Sequence, residues 1–439
     1  MPFEAIDPPR HGTMTAPRKI AVIGAGISGM GAAHMLSDDH HVTIFETCAR
    51  LGGHARTKMA GKNGDQPVDT GFIVFNYANY PHLAALFEEL DVPVVKSNMS
   101  FGASIDGGRL EYALMTMDSI FAQRRNLANP KFLRMLSDIL RFNSTATTIA
   151  KDRTLTIAGF LNTLRAGPYF RKYYLAPLSG AIWSTPVEKI MDFPAYSMID
   201  FFENHALLSH TGQHQWYTVK GGSQEYVNRL GASLTAKGVD IRLSTAVQSV
   251  RRTPVGVEVK SNGSDWEAFD EVVFATHSDD TLAMLSDPST QEQAALGAVK
   301  YQPNDIVLHA DTSIMPKRRK TWASWVYCED KGQQSDRIDL TYWMNSLQPI
   351  PMDDLHFVTL NTKRPIREEL IYDQVTLRHP VYDMAALNAQ EQVRAFNGAN
   401  NTWFCGAWMK NGFHEDGLSS AVDVVRAIRG EVQLPLAAE

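Results

Sequence analysis

Nothing in this chain constrains its fold more than the run KIAVI at 19–23 leading directly into GAGISG at 24–29. A short apolar run ending in a glycine turn reads as a buried strand of a parallel sheet. Beyond the turn, Met30, Ala33, Met35 and Leu36 set a helical pattern, and HHVTIFE at 40–46 reads as a second strand. Together these form one βαβ unit. In the GxGxxG spacing, Gly24 permits the tight turn, Gly26 lets the backbone approach a pyrophosphate, and Gly29 allows close helix–strand packing. The helix start offers free N–H groups and a positive dipole end to phosphate. Glu46 closes the second strand, where an acid accepts hydrogen bonds from ribose hydroxyls. Strand, helix and acid in register imply dinucleotide binding; the plain alternative is an ordinary glycine-rich turn.

The chain has 439 residues, more than one hydrophobic core holds. From about 110 to 205 the pattern is mostly helical. KFLRMLSDILRF at 131–142 places Phe132, Leu136, Ile139 and Leu140 on one face. A further amphipathic helix is expected over 223–237, through Tyr226, Leu230 and Leu234. Alternating runs follow, among them DIVLHAD (305–311), DLTYWM (339–344) and HFVTL (356–360). The last stretch reads strand (TWFCG), turn, helix. Both ends of the chain therefore look α/β. The expected fold is α/β, with a discontinuous Rossmann-type domain (19–100, 215–298 and 395–435) and an inserted α+β substrate domain (101–214 and 299–394). Residues 1–18 read as a disordered lead-in without the apolar core of a secretory signal.

Composition narrows the function. The net charge of −6 gives no case for nucleic-acid binding. The cysteines (Cys48, Cys328, Cys405) are an odd number without a CxxC, which fits a reducing cytoplasm and argues against cysteine-held metal. No apolar run reaches membrane-spanning length, which leaves lying on a membrane open.

LGGHART at 51–57 resembles the extended dinucleotide motif of the flavin amine oxidase and phytoene desaturase superfamily. Gly52, Gly53 and Thr57 match; His54 stands where an arginine is usual. Arg56 is a candidate for the pyrophosphate, a surface arginine being the alternative. VDTGF at 68–72 resembles the next superfamily segment, and GVDIRLSTAVQSV at 238–250 the strand whose valine, here Val247, meets the adenine through its backbone. DEVVFATH at 270–277 resembles the strand returning to the cofactor. FCGAW and GFHEDGLSSAV resemble the terminal flavin motif, with a strand ending at Gly406 and a helix starting at Asp416, Gly417 and Leu418. The resemblance implies an amine-oxidase-like fold and FAD. The cofactor is expected to be non-covalent, since no cysteine occupies the upstream attachment position. A closer resemblance, through DTGFIVFNYANYPHL, PLSGAIWST, WYTVKGGSQEYV and GFHEDGLSSA, is to a bacterial branch associated with making methylated or furan fatty acids. It implies a fatty acyl substrate and partner proteins of lipid methylation; it leaves the oligomeric state open.

Two departures bear on the chemistry. The strand resembling the lysine-bearing strand of amine oxidases, DIVLHAD, has no lysine. At the aromatic cage position before the terminal helix the alignment places His414. His414 and His309 are the candidates for proton transfer, imidazole being the natural base near neutral pH; for His309 the alternative is a satisfied strand histidine. Lys317, Arg318, Arg319 and Lys320, with Arg124 and Arg125, are candidates for peripheral contact with an anionic membrane on the inner face, against a solvated surface. The leading expectation is a fatty acyl desaturase or dehydrogenase. Oxidation of a small amine or other apolar metabolite, and a non-catalytic flavoprotein scaffold of a lipid-modifying complex, stand beside it.

Overall fold

The computed structural model describes residues 16–183, 191–204, 208, 214–330 and 338–431. Residues 1–15 of the lead-in and the last two residues of PLSGAIWST lie outside them.

The glycine turn sits in a five-stranded, all-parallel sheet. Strand β1 (Lys19–Ile23) is central, between β2 (His41–Phe45) and Glu271–Phe274, with Asp240–Arg242 and Thr402–Phe404 at the edges. Burial on both faces explains why KIAVI is apolar rather than alternating. One face packs on helix α1 (Ile27–Leu36), Gln224–Ala236 and the terminal helix His414–Ile428; the other packs on Val250, Val257, Leu296 and Val393. Tyr226, Leu230 and Leu234 are fully buried, as their spacing predicts.

The second body is a seven-stranded sheet, ordered Ile371–Val381, Lys300–His309, Phe357–Leu360, Leu340–Trp343, Trp325–Glu329, Phe101–Ile105 and Leu110–Ala113. Helices from the block after residue 117 cover it. The chain is thus α/β, with a Rossmann-type domain assembled from distant segments and an α+β substrate domain.

The long helix Pro130–Ile149 departs from its sequence reading. It buries Phe132, Met135, Phe142 and Ala146, whereas Leu140 is 58% exposed and Leu136 and Ile139 are only half-buried. The buried stripe instead includes Asp138, whose carboxylate accepts hydrogen bonds from the Gly167 N–H (2.8 Å) and the Arg141 guanidinium (2.5 Å). The terminal helix begins at His414, two residues before the expected start, because the Asp416 carboxylate accepts the Phe413 N–H (2.8 Å) and caps the first turn.

One buried carboxylate joins the two bodies. Asp69 accepts from Thr57 Oγ1 (2.6 Å), the Ser223 N–H and Oγ (both 2.8 Å) and Gln348 Nε2 (2.9 Å). Its own N–H donates to Gln348 Oε1 (2.9 Å). Thr57 and Ser223 flank the nucleotide side, and Gln348 lies beside the large sheet. Burial pushes the Asp69 carboxyl up to about 6, so it is ionised at pH 7.5. Asp69→Asn turns an NH₂ toward donors that need an acceptor. That leaves buried groups unpaired at a cost of about 2 kcal/mol. The variant should unfold at lower temperature than the parent in thermal scans at pH 7.5; equal midpoints would deny Asp69 this joining role.

Candidate active site

The turn after β1 is drawn tight by backbone contacts. Gly24 takes φ +100°, and a Cβ there would meet the Ala275 carbonyl at 2.9 Å. A Cβ on Gly29 would lie 1.9 Å from the Gly24 carbonyl, so only glycine lets α1 start against the strand. Gly26 differs. Its φ of −75° suits any residue, and the nearest heavy atom to a Cβ there is Gly53 Cα at 4.0 Å. The protein's own packing gives no reason for glycine at this place. A ligand lying against the backbone does, and Gly26 also begins α1 without a side-chain cap, which leaves the first-turn N–H groups for that ligand.

The second glycine pair closes over the first. Gly52 donates its N–H to the Ala25 carbonyl (2.8 Å) and takes φ +106°. A Cβ on Gly53 would come within 2.9 Å of Gly26 Cα. Arg50 braces this pair by donating to the carbonyls of Leu51 (3.1 Å), Ala55 (3.0 Å) and Gly53 (2.7 Å). Sequence reasoning missed Arg50, since only its place before the glycine pair marks it. Glu46 is held at the same point: Oε2 accepts the Ala25 N–H and Oε1 the Cys48 N–H, both at 2.8 Å.

Two candidate residues are engaged elsewhere. The Arg56 guanidinium pairs with Asp373 on the Ile371–Val381 strand (3.0 Å from Nη2) and donates to Thr70 Oγ1 (3.0 Å), so it joins the two bodies rather than turning to the glycines. Thr57 Oγ1 donates to Asp69 and accepts the Gln224 N–H (2.9 Å). Val247 begins the antiparallel strand Val247–Thr253, half-buried beside the parallel sheet.

The terminal helix meets α1 at Gly417, where a Cβ would touch Ser28 Oγ (2.8 Å) and Ile27 Cγ2 (3.0 Å). Buried Leu418 fills the space left by Gly31. Two helix N-termini therefore converge on one region, a place suited to an anion. Gly406, at φ +154°, leads in from the edge strand and donates its N–H to Ser420 Oγ (2.9 Å). Burial raises the Asp416 carboxyl to about 6.

Four imidazoles gather near the same helix ends. His54 lies 5.8 Å from His277 and 5.7 Å from His379, ring centre to ring centre. His414 stacks on Phe72 at 4.0 Å and shares a 2.6 Å hydrogen bond with the Tyr226 hydroxyl. All four are half-buried. Burial lowers each of them, His277, His379 and His414 to about 3.

The aromatic residue immediately before the terminal helix is Phe413, not His414. Phe413 is the extended cap residue, and its ring stacks on Phe201 at 4.8 Å. His309 is a satisfied strand histidine. Nδ1 accepts the Asp311 N–H (3.1 Å), Nε2 meets Thr359 Oγ1 (2.7 Å), and the residue is fully buried. Burial lowers it to about 4. Its strand does carry a lysine, Lys300, but at the exposed end, bonded to the Gly297 carbonyl (2.7 Å). The buried polar group midway is Asn304, bonded to His379 Nδ1 (2.9 Å) and Asn361 Nδ2 (2.7 Å).

The fold and this glycine-lined cleft define a dinucleotide-dependent flavoprotein. The sequence model for flavin containing amine oxidoreductases matches residues 27–338, and the chain belongs to that family. Its cofactor is FAD, and it is an FAD-dependent oxidoreductase. Curated relatives align only locally. A Mycobacterium tuberculosis coproporphyrinogen III oxidase is 41% identical over 78 residues, covering 17% of this chain and 16% of that protein. A Bothrops pictus L-amino acid oxidase is 38% identical over 53 residues, covering 12% and 11%. Solved structures share the whole fold. A fatty acid isomerase from P. acnes has a TM-score of 0.65 at 13% identity (94% of this chain, 99% of that one). A putative protoporphyrinogen oxidase from Exiguobacterium gives 0.68 at 16% (95% and 100%), and putrescine oxidase 0.69 at 13% (95% and 100%).

The Gly26 geometry separates folding from cofactor binding. Gly26→Ala should fold with unchanged far-UV circular dichroism but hold FAD about tenfold or more weakly, because the methyl fills space the pyrophosphate needs. Glu46→Ala should weaken FAD by a similar factor, a charged acceptor being worth about 1.5–3 kcal/mol. Unchanged dissociation constants in fluorescence titration would remove both residues from the cofactor site.

Proposed function

We propose that this oxidoreductase is a desaturase or dehydrogenase of fatty acyl chains, methyl-branched and esterified in phospholipid. The observation that carries the reading is the aromatic character of the substrate domain. Tyr169, Tyr196, Trp325, Tyr327, Tyr342 and Phe413 are half-buried against the substrate-domain core. Asn304, rather than a lysine, is the buried polar group midway along the Lys300–His309 strand. An apolar chain gains about 0.8 kcal/mol per CH₂ buried against such a surface. The solved fatty acid isomerase is a likeness of fold alone.

FAD supplies the two-electron acceptor. Bound FAD would take up the hydride given up by an allylic carbon, while the adjacent carbon would lose a proton and a C=C bond would form between them. The reading assigns the proton to His414, with Tyr226 hydrogen-bonded to the same ring. Oxidation of a small amine is the second reading, favoured by Phe413 standing where amine oxidases carry an aromatic cage residue.

A phospholipid substrate requires access to a bilayer. Among the described residues no helix is long and apolar enough to cross a membrane. An outward face built from three neighbouring segments suits peripheral contact. The helix Pro130–Ile149 exposes Leu133 and Leu140 beside Arg134 and Arg141. Exposed Met117 and Leu127 adjoin Arg124, and Asp118 links Arg124 to Lys320. Each aspartate offsets one of its two basic partners, and anionic headgroups attract the net positive charge left on each trio by about 1 kcal/mol, while the leucines and methionines enter the interface.

Under anaerobic conditions, phospholipid bearing methyl-branched unsaturated chains should bleach the flavin absorbance, and His414→Ala should slow that step with FAD retained. Rapid bleaching by common amines, with the lipid inert, would replace this reading by the amine one. The rate should show no histidine-like acid limb between pH 5 and 8, because the lowered pKa keeps His414 neutral throughout; an inflection near 6.5 would assign the proton to another group. Binding to phosphatidylglycerol liposomes should rise with anionic content, fall with salt and be lost in Leu133→Glu/Leu140→Glu; salt-insensitive binding would remove this face from membrane contact.

A further inference from the structure

His54 is the polar side chain beside the glycine turns that the protein leaves incompletely satisfied. It follows Gly53, whose backbone touches that of Gly26, so it borders the region Gly26 keeps open. Its main chain is fixed: the carbonyl accepts the Phe72 N–H (3.1 Å), and a Cβ on Gly71 would lie 1.8 Å from that oxygen. Its ring donates to the Arg378 carbonyl, while Nε2 is shielded from solvent and has no partner. The donating atom is therefore Nδ1. A neutral imidazole has one N–H, so Nε2 presents a bare lone pair. A shielded acceptor without a donor is costly and rare in folded proteins.

The surroundings keep the ring neutral. His277 and His379 flank it, His414 lies near enough to feel its charge, and Arg50 and Arg378 are the cations that oppose its protonation. Burial is the largest cause of its lowered pKa, ahead of these charges. A neutral acceptor cannot pair with a phosphate oxygen, which offers no proton. On FAD the matching groups are hydroxyls, and with Glu46 placed for the ribose, those left are on the ribityl chain.

We propose that His54 Nε2 accepts a hydrogen bond from a ribityl hydroxyl of FAD. This assignment is independent of the substrate. It makes His54 a positioning residue that fixes the cofactor's middle section between the two glycine turns.

The test uses the FAD-loaded protein labelled with ¹⁵N-histidine, with His54 assigned by its absence in His54→Gln. Nε2 should carry no proton, and its resonance should move when FAD is removed. A protonated Nε2, or a resonance indifferent to FAD, would overturn the assignment on the unmutated protein. In titrations His54→Phe should bind FAD about tenfold more weakly. His54→Gln should stay within about threefold, because its Oε1 also accepts. His54→Arg should bind about tenfold more weakly, since it brings a donor and a third cation; affinity at or above the parent's would identify a phosphate contact instead.

Discussion

The structure depends on the approach of two glycine turns from different parts of the chain. Gly26 and Gly53 face each other through bare Cα atoms, and Gly52 donates to the carbonyl of Ala25. A side chain at Gly53 would part the turns. Arg50 holds one turn by three carbonyls, and Glu46 holds the other by an N–H. Once they meet, α1 starts directly behind them. The terminal helix then arrives with Gly417 against Ser28. The cofactor cleft is thus a product of main-chain geometry, with side chains serving to brace it.

That origin explains what was legible in the sequence. The glycine spacing, the apolar strand and Glu46 are local signals, and their positions follow from them. The terminal motif was legible as far as Gly406 and Gly417, but its helix begins earlier because Asp416 caps Phe413, a choice made by one side chain. Arg56 was illegible: its partner Asp373 lies 317 residues away on another sheet, and no periodicity announces such a pair. The helix Pro130–Ile149 misled for a related reason. Its sequence is apolar on more than one side, and the choice of buried face was made by Asp138, which the Gly167 N–H draws inward. The histidines near the cleft come from four separate segments, and only His414 and, as an exception to a motif, His54 stood out.

Electrostatics distinguish this site from one built around cations. His54, His277, His379 and His414 are all held neutral by burial, and each charge added to one would raise the cost of charging the others. Two nearby guanidiniums are paired with carboxylates, Arg56 with Asp373 and Arg378 with Asp279 and Asp280, whereas Arg50 donates to backbone carbonyls and keeps its charge beside the glycine turns. Positive potential for the pyrophosphate and for the reduced flavin therefore comes from the two helix N-termini together with Arg50.

A fixed dipole differs from a side-chain cation in one respect that matters for substrate choice. It stabilises negative charge on the cofactor without placing a mobile proton or a strongly hydrated ion beside the substrate. A lysine in that position orders water around itself, whereas neutral imidazoles, Phe72 and Asn304 do not demand such a shell. A cleft of this kind can be emptied of water at modest cost, and an apolar chain can enter without leaving an ion unsolvated. A protonated amine would have to shed its own hydration, and the carboxylates beside His277, Asp279 and Asp280, are already paired with Arg378. The same neutrality limits His414: an imidazole neutral down to about pH 3 cannot store a proton at pH 7, so any proton it takes must leave at once. The Tyr226 hydroxyl, 2.6 Å away and protonated because burial raises its pKa, is the group through which that proton can be exchanged. On the proposed reading, neutral walls, helix dipoles and a tyrosine–histidine hydrogen bond are the features that would suit removing hydride from carbon in an uncharged chain.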